Sequence, residues 1–313
     1  AAVESIGLVP DGRLFALNSY ENRVYRLGLD EPLQGATAVV AKFYRASRWS
    51  DAQILEEHAF AAELVAADIP VAPALSWQGA TLHQHEHYRF ALFALQPGGS
   101  PDLDQPGARA LLGRTLGRIH ARGALQSFRE RRRLAAGFGA QARESLLESD
   151  FIPEALLDRY AGVSEDLVAG IRDAFEMHMP ANIRLHGDCH LGNILWSARG
   201  PVFVDLDDCM QGPRVQDLWM FVAGDSTTQQ HEWQELMEGY EQFTSLDYGE
   251  LALIEPLRAL RMMNHAAWLA ARWDDPAFPK AFPWFGEARF WERHIDDLFE
   301  QLQTMHDPPL LRV

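Results

Sequence analysis

The chain has 313 residues, 47% of them hydrophobic and 23% charged, which provides enough apolar material for one large domain or two lobes and excludes a disordered chain. Its formal net charge of -16 argues against DNA or RNA as a partner, because the phosphates of the polymer would be repelled, and suits a neutral or cationic acceptor. Two cysteines, no apolar run of about 18 residues and no signal-peptide pattern at the N-terminus argue against a disulfide scaffold and a membrane span, and predict a cytoplasmic protein.

The N-terminal region is predicted to be mainly β-structure with one helix. Ser50 is a candidate N-cap with Gln53 three residues later, and apolar residues then recur at helical spacing until Pro70 approaches. Alternating or β-branched segments predict strands on both sides of this helix, at 14–18, 23–29, 37–45, 74–79 and 88–95.

A segment rich in Gly, Pro and Asp separates this β-rich region from a mainly helical one. We interpret residues 96–107 as a hinge or linker between an N-terminal lobe, 1–95, and a larger C-terminal lobe, 108–313. The composition on either side therefore predicts an α+β chain of two lobes.

Most of the C-terminal lobe shows helical periodicity, at 110–123, 217–224 and 254–273. Residues 183–209 interrupt it with short strands and glycine-containing turns. The basic run at 129–134 is expected to be a solvated face, because it is isolated in an acidic chain. Residues 275–285 are predicted to be an aromatic, proline-rich loop.

The segment His186–Asn193, HGDCHLGN, has the spacing of a phosphotransferase catalytic loop. Phosphoryl transfer needs a carboxylate beside the acceptor hydroxyl and oxygen ligands for Mg²⁺. Asp188 and Asn193, five residues apart on one tight loop, can perform these two tasks. We predict Asp188 as the catalytic carboxylate and Asn193 as a metal ligand.

A second metal carboxylate is expected after the apolar stretch that ends in Val204. Asp205 is the preferred ligand because it directly follows the predicted strand, and Asp207 could share the metal with it. The loop histidines form an H-x₃-H pattern, but glycines within it argue against the helix that a zinc site of this kind requires. His190 is instead expected to hydrogen-bond inside the loop.

The N-terminal lobe supplies the candidate nucleotide contacts. Lys42 lies in the middle of a predicted apolar strand, where a charged side chain is unusual unless it has a function. The kinase interpretation makes it a phosphate contact that pairs with a helix glutamate. Glu57 is the preferred partner and Glu56 the alternative. The turn from Ser19 to Asn22 occupies the place of a phosphate-covering loop, although it is not Gly-rich.

At these residues the chain resembles the aminoglycoside phosphotransferase and choline kinase superfamily, and within it the bacterial stress response kinase A family. The resemblance is carried by segments along nearly the whole chain, including LNSYENRVYRL, KFYRASRWSDAQILEEH, RLHGDCHLGNILW, FVDLDD, GPRVQDLWM, IEPLRALR and WDDPAFPKAFPWF. It implies a protein-kinase-like fold with a small antiparallel β-sheet lobe bearing one helix and a larger, mainly helical lobe.

The resemblance also implies roles for individual residues. Asp188 is the expected proton acceptor, Asn193 and Asp205 are the Mg²⁺ ligands, and Ser19 contacts ATP. The hinge that meets adenine is expected near Phe93 to Gln96. Asp217 is expected to brace the catalytic loop.

Three functions remain open, and all three use ATP. The first is a cytoplasmic Ser/Thr protein kinase, acting as a monomer on an unidentified protein. The second is a small-molecule kinase for an amine-bearing alcohol, which the acidic charge would suit. The third is a nucleotide-binding regulator without turnover.

Overall fold

The computed structural model of the chain describes residues 1–222, 226–307 and 311. They divide into two compact units. The first contains residues 1–132, 183–211 and 234–245, and the second contains the described residues of 133–182, 212–233 and 246–313.

The first unit is built on a five-stranded antiparallel sheet in the order β1-β2-β3-β5-β4. Its strands are β1 (Pro10–Leu17), β2 (Arg23–Leu33), β3 (Ala36–Phe43), β4 (His83–His85) and β5 (Tyr88–Ala94). A four-residue helix, α1 (Ala2–Ser5), precedes them and was not anticipated. Apolar side chains from β2, β3 and β5 form one core cluster with Val3 and Leu8. The predicted antiparallel sheet is therefore confirmed.

The strand predicted at 74–79 is wrong. This segment makes only isolated bridges, between Ala74 and Phe93 and between Trp77 and Ala80. Gln78 and Gly79 both have positive φ, 52° and 82°, which closes a tight turn and prevents the chain from staying extended. β5 pairs with β3 on one side, and the strand that pairs with its other side is β4, just after this turn.

Helix α2 (Asp51–Ala66) begins where its capping signal predicts. The Ser50 hydroxyl accepts a hydrogen bond from the Gln53 N–H, and the Gln53 side chain accepts one from the Ser50 N–H. These two bonds satisfy donors that the first helical turn leaves unpaired. The helix buries Ile54, Phe60 and Leu64.

The remainder of the first unit contains the segments that carry the predicted catalytic loop. They are α3 (Ala108–Gly123), β6 (Ile183–Leu185), β7 (Ile194–Ser197), β8 (Gly200–Phe203) and β9 (Met210–Gly212). Strands β7 and β8 form a hairpin in which Ile194 faces Phe203. Helix α3 approaches the end of α6 (Ser226–Tyr240) so closely that a Cβ on Gly239 would lie 1.8 Å from the Ala110 carbonyl oxygen, so only glycine fits.

The predicted linker begins as strand β5 ends, and α3 starts after it. Residue Gly99 pairs with Trp196 of β7: the Gly99 N–H donates to the Trp196 carbonyl at 3.0 Å, and the Trp196 N–H donates back at 2.8 Å. The segment is therefore held to the first unit by backbone bonds. The lobe boundaries 1–95, 96–107 and 108–313 stay a prediction.

The second unit is helical. Helices α4 (Gly137–Leu147), α5 (Leu157–His178), α7 (Ile254–Ala270) and α9 (Ala288–His306) pack around a core that includes Tyr160, Leu167, Ile171 and Trp291. Together with the N-terminal sheet, this helical remainder confirms the predicted α+β fold class. No helix in the described part of the chain is both long and apolar enough to cross a bilayer.

Two segments of the second unit differ from prediction. The segment at 217–224 forms short 3-10 turns, Arg214–Asp217 and Trp219–Phe221, rather than an α-helix, and its last two residues lie outside the described part. The expected loop at 275–285 contains α8 (Ala277–Ala281) and another 3-10 turn. Aromatic packing stabilises this segment. The ring centroids of Phe278 and Trp268 lie 5.0 Å apart, and Phe278 is fully buried.

The buried carboxyl of Glu250 predicts a pH-dependent stability. Burial raises the pKa of Glu250 to about 7 from 4.5, although the Val215 N–H donates to Oε2 at 3.0 Å and Arg214 opposes the rise. The folded state therefore holds a proton that the unfolded state has lost, and stability falls as pH rises from about 4.5 to about 7. We expect Glu250→Gln, which keeps the acceptor without the charge, to gain on the order of 3 kcal/mol over the parent across this window.

Thermal melts of both proteins between about pH 4 and pH 8 test this expectation. The Tm values should be similar at the acid end and separate towards neutrality, with Glu250→Gln higher. Parallel curves across the window would contradict the proposed burial cost.

Candidate active site

The predicted catalytic loop follows strand β6 directly. Asp188 is partly exposed, and the Asn193 side chain donates Nδ2–H to the Asp188 carbonyl at 2.9 Å. His190 hydrogen-bonds inside the loop as expected, since its Nδ1 accepts the Gly192 N–H at 3.0 Å. The loop thus holds its two predicted functional residues against each other.

Backbone contacts bring the catalytic loop to the segment after β8. Gly187 has φ +89°, and a Cβ there would lie 2.1 Å from the Asp208 carbonyl oxygen, so the loops touch where only glycine fits. His186 Nε2 lies 2.9 Å from the Val204 carbonyl oxygen, and the Val204 N–H donates to the Asn193 carbonyl at 2.9 Å. Continuation of the β7–β8 hairpin therefore places Asp205 beside the Asn193 end of the loop.

Asp205 begins a short acidic turn. Its φ of +58° lies in the left-handed region, which Asp tolerates better than most residues, and it precedes the 3-10 turn Leu206–Asp208. Lys42, the last residue but one of β3 rather than a mid-strand residue as predicted, extends to this turn, with Nζ 2.8 Å from Asp205 Oδ1 and 3.1 Å from Asp207 Oδ1. The structure thus brings together the ammonium and the carboxylate that sequence reasoning assigned to ATP and the metal.

The expected ion pair between Lys42 and Glu57 is not formed in this structure. Glu57 is buried, and its Oε2 has no hydrogen-bond partner among the described residues. Burial raises the pKa of Glu57 to about 7, and the positive charge of Lys42 opposes the rise only in part. Lys42 now contacts Asp205 and Asp207. When these aspartates bind another group, the buried Glu57 carboxyl can pair with Lys42 instead.

Glu56, the alternative partner, has a different role. Its carboxylate accepts three backbone N–H bonds, from Arg129, Glu130 and Arg131, at 2.6, 2.8 and 2.8 Å.

The expectation that the basic run 129–134 is solvated is wrong for Arg131. That side chain is buried, stacks on Trp49 with 4.0 Å from Cζ to the ring centroid, and donates to the carbonyls of Asp207 and Cys209.

Sequence reasoning missed Arg48. Its guanidinium donates to the Asp207 carboxylate and, at 2.6 and 2.8 Å, to both oxygens of Asp208, and Nε lies 3.4 Å from Glu21. Two arginines between β3 and α2, Arg45 and Arg48, and three aspartates after β8 are visible in the sequence. No spacing rule pairs groups that are about 160 residues apart, so the sequence alone carries no signal for this contact.

Two neighbouring carboxyls of the acidic turn, those of Asp207 and Asp208, have pKa values that are shifted in opposite directions. Burial alone would raise the pKa of Asp207, but Lys42, Arg48 and the Asn22 amide together hold it well below its usual range. For Asp208, burial outweighs Arg48, and the pKa is raised. Burial lowers the pKa of Lys42, but Asp205 and Asp207 more than compensate, so it stays protonated.

The three other predicted nucleotide contacts lie around this cluster. Ser19 Oγ accepts the Asn22 N–H at 3.3 Å, which closes the turn between β1 and β2. Asn22 is buried, with Nδ2 donating to Asp207 at 3.0 Å and Oδ1 accepting the Arg45 N–H at 3.2 Å. Phe93 is half-buried on β5, with its ring centroid 6.0 Å from Lys42 Nζ. Their contacts to a nucleotide remain predictions.

The donor set fits a magnesium ion held mainly by substrate. No group of three or more His, Cys, Asp or Glu side chains within the described ranges is arranged to hold a metal. Mg²⁺ at phosphate-transfer sites takes one or two protein oxygens and completes its shell with phosphates and water. Asp205 is 47% exposed and bonded only to Lys42 among the described residues. Its carboxylate and the Asn193 amide offer oxygen atoms of the type that such an ion takes, and their role as ligands stays a prediction.

Comparison with known proteins agrees with this geometry. The family model for "Phosphotransferase enzyme family" matches residues 14–254. Serine/threonine protein kinase RdoA of Salmonella typhimurium (strain LT2) and stress response kinase A of Escherichia coli (strain K12) are each 40% identical over 305 residues, which cover 97% of this chain and 91% of theirs. The chain belongs to the stress response kinase A family of phosphotransferases. The suspected resemblance is thereby confirmed.

Solved structures share the fold of this stress response kinase A family member. Amicoumacin kinase hAmiN, in complex with AMP-PNP, Ca2+ and Ami, superposes with a TM-score of 0.74 at 18% identity, covering 98% of this chain and 93% of that one. A microcompartment-associated aminopropanol kinase gives a TM-score of 0.69 at 17% identity, covering 96% and 98%. At these identities the likeness concerns the fold alone.

Proposed function

We propose that the chain is an ATP- and Mg²⁺-dependent protein Ser/Thr kinase with Asp188 as its proton acceptor. The observation that carries the proposal is the convergence of Lys42, Asp205 and the Asp188–Asn193 loop in one unit. The protein-kinase activity that names its 40% identical relatives supports the acceptor class.

In the proposed mechanism, Mg²⁺, when bound, would neutralise charge on the phosphates of ATP. Asn193 and Asp205 would hold the ion through side-chain oxygens. Lys42 would turn from Asp205 to the phosphates, with Glu57 available to pair with it. Ser19 would contact the nucleotide on the sheet side, and the chain near Phe93 would meet the adenine.

Asp188 would act on the acceptor. Its carboxylate accepts the hydroxyl proton as the acceptor oxygen bonds to the γ-phosphorus, and the bond from that phosphorus to the β–γ bridging oxygen breaks to release ADP. Because little covalent work falls to the protein, positioning of these groups is the main contribution of the chain.

A small-molecule kinase is the second candidate. The net charge of -16 suits an amine-bearing alcohol, which would be attracted rather than repelled. We further propose that the protein acts in the cytoplasm, which its two buried free cysteines support, and without nucleic acid, which its acidic charge supports. A monomeric state stays a prediction.

Incubation with γ-³²P-ATP and Mg²⁺, using a cell lysate as the acceptor pool, tests the proposal against the alternative. We expect labelled protein bands that are absent with Asp188→Ala. Label only in small molecules, together with ADP production stimulated by amino alcohols, would favour the second candidate. Tight ATP binding without label in any acceptor would overturn both in favour of a nucleotide-binding regulator.

A further inference from the structure

The imidazole of His190 contacts the loop through both of its nitrogens. Nδ1 lies 3.0 Å from the Gly192 backbone nitrogen, and Nε2 lies 3.3 Å from Asp188 Oδ2. A backbone N–H can only donate, so Nδ1 must be an unprotonated acceptor, and the hydrogen of the neutral ring is then on Nε2. The Gly192 bond therefore fixes the tautomer that directs an N–H at the Asp188 carboxylate.

We infer that His190 is a positioning residue that orients the carboxylate of Asp188 for proton transfer. This rests on the proposed function, in which Asp188 accepts the hydroxyl proton. His190 itself does not touch the reacting atoms; it acts through Asp188 Oδ2.

His190 gives the carboxylate a closer contact than the loop amide of Asn193 does. The Asp188 side chain is 30% exposed, and the Asn193 amide, its neighbour in the loop, lies 3.5 Å from Oδ2 while bonding the Asp188 carbonyl at 2.9 Å. The short bond of Asn193 Nδ2 is to the Asp188 carbonyl, so its 3.5 Å contact to the carboxylate is the weaker of the two. An N–H donor from a ring with two fixed contacts restricts the Asp188 side chain at a low entropic cost.

Gly192 is part of the same arrangement. A Cβ at this position would lie 2.7 Å from His190 Cε1 and 2.9 Å from Nδ1. A side chain would therefore push the imidazole from the position in which its two nitrogens make their contacts. This close approach is a reason for glycine at 192 that is distinct from turn formation, since 192 is not among the positive-φ glycines.

Three substitutions separate positioning from simple closure of the loop. His190→Gln extends an amide N–H towards Asp188 and loses the short acceptor for Gly192. His190→Asn keeps an acceptor for the N–H two residues ahead, as in an Asx turn, but is too short to reach Asp188. His190→Ala removes both contacts. The Gln and Asn variants are thus matched opposites.

We expect His190→Gln to keep kcat within about threefold of the parent, and His190→Asn and His190→Ala to lose on the order of 10²-fold. The KM for ATP should change by less than about twofold in all three, since none of the predicted nucleotide contacts is altered. Retention of kcat by Asn together with loss by Gln would overturn the inference and leave loop closure as the only role of His190.

A spectroscopic measurement tests the inference without turnover. In ¹⁵N-labelled protein, the His190 ring should be the Nε2-protonated tautomer, and its Nε2 resonance should shift in Asp188→Asn. A ring protonated at Nδ1, or one that does not sense Asp188, would overturn the positioning role even in an active enzyme. An inactive parent with the expected tautomer would instead contradict the proposed function and leave the contact intact.

Discussion

Asp188→Ala is expected to lower kcat by about 10³-fold or more while the protein stays folded. The substitution removes the only carboxylate of the HGDCHLGN loop, and a positioned general base contributes about 10²–10⁴-fold to such a reaction. The fold should be little affected, because the Asp188 side chain is 30% exposed and the His190 side chain that it contacts is 37% exposed. Initial rates at saturating ATP and a thermal melt measure the two effects.

Asp104→Ala is a suitable control for this prediction. Its side chain is 97% exposed and makes one long contact, 3.9 Å, to Arg109, so both rate and Tm should match the parent. A residual rate of Asp188→Ala within about tenfold of the parent would mean that another group takes the proton. A large drop in Tm would mean that the lost rate reports unfolding rather than chemistry.

Local signals in the sequence were sufficient for part of this molecule. The start of α2 follows from Ser50 and Gln53, because a capping box involves residues three apart and needs no tertiary partner. The β3 strand and the catalytic loop are equally local. Strand propensity and the spacing of the loop motif are each determined by a short stretch of sequence. These elements place Lys42 and Asp188, from which the kinase hypothesis was built.

The partners of these residues could not be predicted in the same way. The sequence favours Glu57 as the partner of Lys42, whereas the ammonium lies on Asp205 and Asp207, which are about 160 residues away. The choice depends on side-chain rotamers and on the competing burial costs of several carboxyls, and neither is encoded in spacing. Arg131 shows the same limit: a run of arginines resembles a solvated face until Trp49 and the carbonyl of Cys209 are placed beside it.

Asp205 and Asp207 both contact Lys42, but they differ in exposure and in the other groups that hold them. Asp207 is held by Lys42, Arg48 and Asn22, all of which are protein groups, and its side chain is only 4% exposed. Asp205 is bonded to Lys42 alone among the described residues and is 47% exposed. The two aspartates, two residues apart, are thus suited to different tasks. Asp207 holds the turn that ends in Asn22 and, through Lys42, strand β3. Asp205 is suited to binding a metal ion.

The same substitution at these two positions should give opposite effects. Asp205→Asn is expected to lower kcat/KM by about 10²-fold or more and to raise the Mg²⁺ concentration for half-maximal rate, with Tm within about 2 °C of the parent. Asp207→Asn removes a buried negative charge that both Lys42 and Arg48 contact. We expect the free energy of unfolding to fall by on the order of 3 kcal/mol and Tm to fall by about 5 °C or more. Mg²⁺ titrations of initial rate and thermal melts on both variants measure this contrast.

The contrast separates the two candidate metal ligands because each variant controls for the other. If Asp207→Asn raised the Mg²⁺ requirement and kept the parental Tm, Asp207 would be the ligand, and its contacts to Arg48 and Asn22 would have to open when the ion binds. If both variants raised the requirement, the two carboxylates would share the ion, and Lys42 would have to leave both oxygens that it now contacts at 2.8 and 3.1 Å. We expect neither, because moving Asp207 would leave the partly buried Arg48 guanidinium with a weaker set of partners.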